Sequence, residues 1–68
     1  MTVDTQALRA KMTYHNLLQK DIAEALGMTR ATLHSKLQTG EFKISEVHRL
    51  IEKIPLSMEE VEEIFFAK

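Results

Sequence analysis

Gln19 to Gly40, QKDIAEALGMTRATLHSKLQTG, is the stretch that decides the fold. Its spacing predicts two short helices joined by a tight turn at Leu26-Gly27-Met28-Thr29. The first helix carries apolar residues at Ile22, Ala23 and Leu26. The second carries Leu33 and Leu37, which are four apart and so share one face. Ala23 is small where two steeply crossing helices must approach closely; a branched side chain there pushes them apart. Gly27 follows the last apolar residue of the first helix, and glycine takes the left-handed conformation that ends helices at least cost. Thr29 suits an N-cap, its hydroxyl accepting from a free N–H of the next helix. Gly40 closes the second helix as Gly27 closes the first. Arg30, Ala31, His34, Ser35 and Gln38 look outward. The second helix therefore packs on one side and hydrogen-bonds on the other. A helix-turn-helix that reads DNA needs this arrangement, because its second helix lies in the major groove.

On either side of this segment the period remains helical. Residues 4–14 place Ala7, Leu8, Met12 and Tyr14 at helical spacing, with Thr2, Asp4 and Thr5 as candidate caps. His15-Asn16-Leu17 reads as a break, and Leu18 is expected to pack against Ile22 or Leu26. The two central helices are expected over Gln19–Leu26 and Arg30–Gln38. Thr39 to Lys43 is a loop with Phe42 turned inward. Ser45 looks like the cap of a fourth helix carrying Val47, Leu50, Ile51 and Ile54. Pro55 ends that helix, since the residue before a proline avoids helical angles. Ser57 and Glu60 form a capping-box pattern for a last helix with Met58, Val61, Ile64 and Phe65. The expected fold is all-α, a compact bundle of about five short helices, with no repeat or linker.

Composition bounds the function. Sixty-eight residues make one domain at most, read as a single helix-turn-helix unit over 1–68. With no cysteine there is no disulfide framework and no thiolate metal site. No apolar run approaches the roughly 20 residues that cross a membrane. No basic-then-apolar leader precedes the first helix. The expectation from composition is a small soluble intracellular protein, in the cytoplasm. Two glycines and one proline leave little room for an all-β design. The net charge of −1 weighs against nucleic acid, but it is unevenly spread. Residues 1–55 hold eight Lys or Arg against six Asp or Glu, a balance of +2. Residues 56–68 hold one Lys against four Glu, a balance of −3. Docking on DNA depends on the local potential of the docking face.

The central segment resembles the Cro and repressor helix-turn-helix family of bacteriophages and bacterial regulators. Gln19, Ala23, Gly27 and Leu33 carry the resemblance. The run Leu26-Gly27-Met28-Thr29-Arg30 with Leu33 and Leu37 is particularly like small Cro-like and repressor-like proteins of Gram-positive hosts. Phe42-Lys43-Ile44-Ser45-Glu46-Val47, Ile51, Ile54 and Glu62-Glu63-Ile64-Phe65-Phe66 extend it over nearly the whole chain. One departure stands out. Many family members have an apolar residue three after the position of Leu33; here Lys36 stands there and Leu37 takes the core role. The resemblance implies a lambda-repressor-like DNA-binding domain acting on operator DNA.

Four kinds of contact are expected. Arg30, opening the third helix, can reach guanine O6 and N7 with two hydrogen bonds. Ala31 can touch a thymine methyl, or be present for helix propensity alone. His34 and Ser35 lie one turn further out, and His34 is equally well a spectator. Phosphate contacts are expected from Gln19, at a helix start that favours anions, from Thr29 as cap and donor together, and from Lys20, Lys36, Thr39 and Lys43. Each lysine taken alone is more commonly a solvated side chain. Lys43 leads, because in the resembling family this loop flanks the groove. Such contacts position a protein without specifying sequence.

Dimerisation is the third kind, because a single domain reads about half a turn and paired half-sites lie about 34–36 Å apart. Ile64, Phe65 and Phe66 are its candidates, with self-packing of this tail as the equal alternative. The last kind is catalysis, for which nothing is found. Asp21, His34 and Ser35 sit at positions that cannot give triad geometry, and His15, His34 and His48 do not share metal-ligand spacing. The expected partner is double-stranded operator DNA, palindromic and bound by a homodimer, with no cofactor, membrane or small-molecule ligand. The competing readings are a protein-interaction module on the same fold and an antitoxin-like regulator.

Overall fold

The computed structural model describes residues 1–66. Among them five helices follow in order: α1 (Thr5–Tyr14), α2 (Gln19–Leu26), α3 (Arg30–Thr39), α4 (Ile44–Lys53) and α5 (Met58–Phe65). The architecture is an all-α bundle in which α2 packs on both α3 and α4, and α1 packs on α5. One apolar cluster draws on every helix: Leu8 and Met12, Ile22, Ala23 and Leu26, Leu33 and Leu37, Val47 and Leu50, Ile64 and Phe65. Val3, Phe42 and Ile54 complete it from the connecting segments. No polar side chain among the described residues is buried, so apolar burial at about 25 cal/mol per Å² holds the helices together. Among the described residues no helix is long and apolar enough to cross a membrane.

Local chemistry explains most helix ends. Asp4 caps α1 through the Ala7 amide, 3.1 Å away. Ser57 accepts from the Glu60 amide at 3.1 Å, and Glu60 accepts from the Ser57 amide at 2.9 Å, a reciprocal box. The start of α4 differs from expectation. Its N-cap is Lys43, not Ser45, because the Glu46 carboxylate accepts from the Lys43 amide at 2.7 Å and so draws the helix back two residues. α3 runs one residue beyond Gln38, to Thr39.

The break after α1 turns on Asn16, which adopts a left-handed φ of 57°. The Asn16 amide donates to Thr13 O at 3.1 Å and the Leu17 amide to Met12 O at 2.8 Å. This is the Schellman pattern, which brings the residue after the left-handed one against the helix it leaves. Leu17 therefore packs on the core, and Leu18, expected inside, is 64% exposed. Tyr14 and Met58, also expected on apolar faces, are 78% and 79% exposed.

One element had no sequence signal. The chain start runs antiparallel to the loop after α3, with a bridge between Thr2 and Glu41. The Val3 amide donates to Gly40 O at 2.7 Å, and the Phe42 amide to Met1 O at 3.0 Å. Gly40 has φ +78°, and a Cβ there would stand 3.0 Å from the Val3 carbonyl oxygen. Gly27 has φ +69°, but its Cβ would meet only the Arg49 guanidinium, at 3.6 Å. Alanine at either site carries a left-handed penalty of about 1–2 kcal/mol. Gly40→Ala adds a contact against backbone that cannot swing aside. In thermal denaturation Gly40→Ala should therefore lose more than Gly27→Ala, at about 4–8 °C per kcal/mol. Equal losses would show that the chain start does not press on Gly40.

An ion pair between Lys11 and Glu60 ties α1 to α5. The Lys11 ammonium, helped by the Ser57 amide, holds the Glu60 carboxyl down at about 2 from an ordinary 4.5. A depressed carboxyl contributes stability that is fully present above its unfolded pKa and lost as pH falls toward its folded one. The melting temperature should thus decline on acidification from about pH 4.5 toward pH 2, and Glu60→Gln should flatten part of that decline. An acid limb identical in the variant would show the pair is inert.

Candidate nucleic-acid interface

The turn between α2 and α3 is fastened by three hydrogen bonds. Gly27 is left-handed, its amide donating to Glu24 O at 3.2 Å, and the Met28 amide donates to Ala23 O at 3.0 Å. The Leu26 carbonyl accepts from Arg49 Nη1 of α4 at 3.2 Å. A cation at the C-terminus of α2 also suits its dipole. Arg49 thus braces the turn from outside the motif, a role no local pattern announced. Thr29 then starts α3, accepting from the Thr32 amide at 3.1 Å. Ala23 is buried on α2, which packs on α3 and α4.

α3 buries Leu33 and Leu37 completely or nearly so. Its ten residues span about 15 Å, and a helix about 10–12 Å across fits a major groove about 12 Å wide. Two rows at four-residue spacing lie open: Arg30, His34 and Gln38, and beside them Ala31, Ser35 and Thr39. All six are exposed, and α3 contains no carboxylate. The four base-reading candidates, Arg30, Ala31, His34 and Ser35, are thus brought onto one free surface. His34 is hydrogen-bonded to Gln38, their Nε2 atoms 3.3 Å apart.

The phosphate candidates divide. Lys43 is exposed at the start of α4 and enters no ion pair among the described residues. Lys20 is exposed and Gln19 half-buried at the start of α2. The Asp21 carboxylate, holding the Leu18 amide at 3.0 Å, places a negative charge at that same helix start. Lys36 is engaged within the chain: its ammonium is 3.2 Å from Glu46 Oε1 and 6.0 Å from the centre of the Phe42 ring. Burial pushes the Glu46 carboxyl up, but the Lys43 amide and the Lys36 ammonium outweigh it and leave the group below its ordinary value. Leu37 takes the core role, as expected from the sequence, while Lys36 is half-buried and sends its charge to α4.

The two threonines are also occupied. The Thr39 hydroxyl donates to Ser35 O at 3.3 Å, closing the end of α3. The Thr29 hydroxyl donates to Thr32 Oγ1 at 2.9 Å. Thr32, which is exposed and shares this hydroxyl pair, is a further candidate at this corner that sequence reasoning passed over. A capping threonine followed three residues later by another was the signal for it.

Of the dimerisation candidates, Ile64 and Phe65 are each 2% exposed and close the chain's own core, while Phe66 is 53% exposed. Among the described residues no three His, Cys, Asp or Glu side chains gather as a metal site requires. No model of a known family, no curated protein and no solved structure matches this chain.

Proposed function

We propose that this chain is a sequence-specific DNA-binding transcriptional regulator of the phage Cro or repressor type, acting by occupying its operator. The observation that carries the reading is α3: capped at its start, packed on α2, and presenting an outward surface of Arg30, Ala31, Thr32, His34, Ser35 and Gln38 without a carboxylate. Such a surface offers hydrogen-bond partners to base edges and no charge that DNA repels. Arg30, Ala31, His34 and Ser35 read bases; Lys43, Lys20 and Gln19 hold phosphates. A homodimer on palindromic DNA supplies the second half-site, with Phe66 the residue of the tail left free to meet a partner.

Salt provides the test. Affinity for a specific duplex should fall steeply as salt rises, because phosphate contacts release counterions. Lys43→Ala should weaken binding to all duplexes alike and reduce the slope of log K against log salt by about 1. A changed base preference in that variant would remove Lys43 from the phosphate role. The second reading, a protein-interaction module, is favoured by Met58 and Phe66, exposed on an α5 that carries Glu59, Glu60, Glu62 and Glu63. It predicts little DNA affinity at any salt.

A further inference from the structure

We propose that Gln38 is a further specificity-determining residue, and that His34 sets, through its protonation state, which end of the Gln38 amide faces the DNA. The inference rests on the DNA-reading function proposed above. Both side chains are exposed in the outward row of α3, one turn apart, with Nε2 of one 3.3 Å from Nε2 of the other. The Gln38 Nε2 atom is an NH2 donor only, so in this contact His34 must accept, which requires the neutral ring with its proton on Nδ1. With one NH2 hydrogen given to His34, the Gln38 carbonyl oxygen, which accepts from no group among the described residues, is the end of the amide left wholly unengaged. An outward acceptor favours a base that offers an exocyclic amine in the major groove, cytosine N4 or adenine N6.

Protonation reverses the pair. In the imidazolium form both ring nitrogens are donors, and an NH2 group cannot accept from either. Rotating the amide by half a turn restores the pair, giving His34 the oxygen and freeing both NH2 hydrogens. The favoured bases become those offering acceptors, guanine O6 and N7 or thymine O4. Histidine is the side chain whose ordinary titration falls between pH 5 and 8. Arg30 stands one turn before His34 on the same row. From α2, which packs on α3, the charged side chains are Lys20, Asp21 and Glu24, and Asp21 is held by the Leu18 amide. From α4, Glu46 is taken by Lys36 and the Lys43 amide. None of these forms an ion pair with His34 among the described residues.

Two measurements test this. The first selects duplexes from a random pool at pH 7.5 and pH 5.5 at equal ionic strength. One position of the enriched site should change from cytosine or adenine to guanine or thymine, a swing of roughly tenfold. Gln38→Ala should lose the preference at that position at both pH values. A general gain in affinity at low pH, from the added positive charge, leaves the relative preference untouched. A specific site that is identical at both pH values would overturn the switch while upholding the DNA-reading function. No specific site at either pH would overturn that function, and this inference with it. The second measurement needs no DNA: the NH2 resonances of Gln38 should titrate with the midpoint of the His34 ring, and should stop doing so in His34→Ala. Resonances indifferent to that midpoint would overturn the pair.

Discussion

Phe65→Ala should cost about 3–5 kcal/mol and leave much of the chain unfolded. A protein of this length has roughly 3–10 kcal/mol of stability in all, at about 0.05–0.15 kcal/mol per residue. Phe65 is among the largest fully enclosed side chains, and it seats α5 in the common core. The Asp4 amide also donates to the neighbouring Ile64 carbonyl at 2.9 Å, so loosening α5 frees the chain start as well. Phe66→Ala should change stability by no more than about 0.5 kcal/mol, as for an ordinary surface site. Circular dichroism during heating, at two protein concentrations, checks both. Equal destabilisation by the two variants, with melting that depends on concentration, would mean that the folded unit is an obligate dimer held through Phe66.

Arg30→Ala should lose roughly 1–3 kcal/mol of binding to the best site, about 5- to 150-fold, and relax discrimination at one base position. The side chain is exposed at the first position of α3, where helix-turn-helix proteins touch base edges. Because the side chain is exposed and makes no hydrogen bond or ion pair among the described residues, its removal should leave melting unchanged, which separates a reading role from a structural one. Competition titrations against single-base variants of the site would measure both affinity and discrimination. Unaltered affinity for the best site would show that Arg30 is solvated and reads nothing. A loss equal for every duplex would make it a phosphate contact instead.

The parts of the fold legible in sequence were those written by neighbours along the chain. α2 spans Gln19–Leu26 as its apolar spacing and Gly27 require, and Ser57 with Glu60 marks α5 within one turn. What sequence hid was set by partners far away or by backbone alone. Arg49 reaches a carbonyl 23 residues earlier, and nothing near it in the chain points there. The strand-like pairing of Thr2 with Glu41 rests on amides and carbonyls, which every residue has, and its side-chain bond, Thr2 Oγ1 donating to Glu41 Oε1, joins residues far apart in the chain, so no local pattern records it. Leu17 and Leu18 are identical side chains; a left-handed Asn16 decides which one turns inward. Within the site, helical phase put Arg30, Ala31, His34 and Ser35 on the open face. It did not tell Lys36, bent back to Glu46, from Lys43, which stays free.

The central claim, that α3 reads DNA sequence, is tested most directly by selection from random duplexes with the purified chain at near-physiological salt. The account predicts an enriched palindrome with half-sites about one helical turn apart, about 34–36 Å between centres. Recovery of a pool indistinguishable from the starting one, with only weak salt-sensitive binding or none, would contradict it.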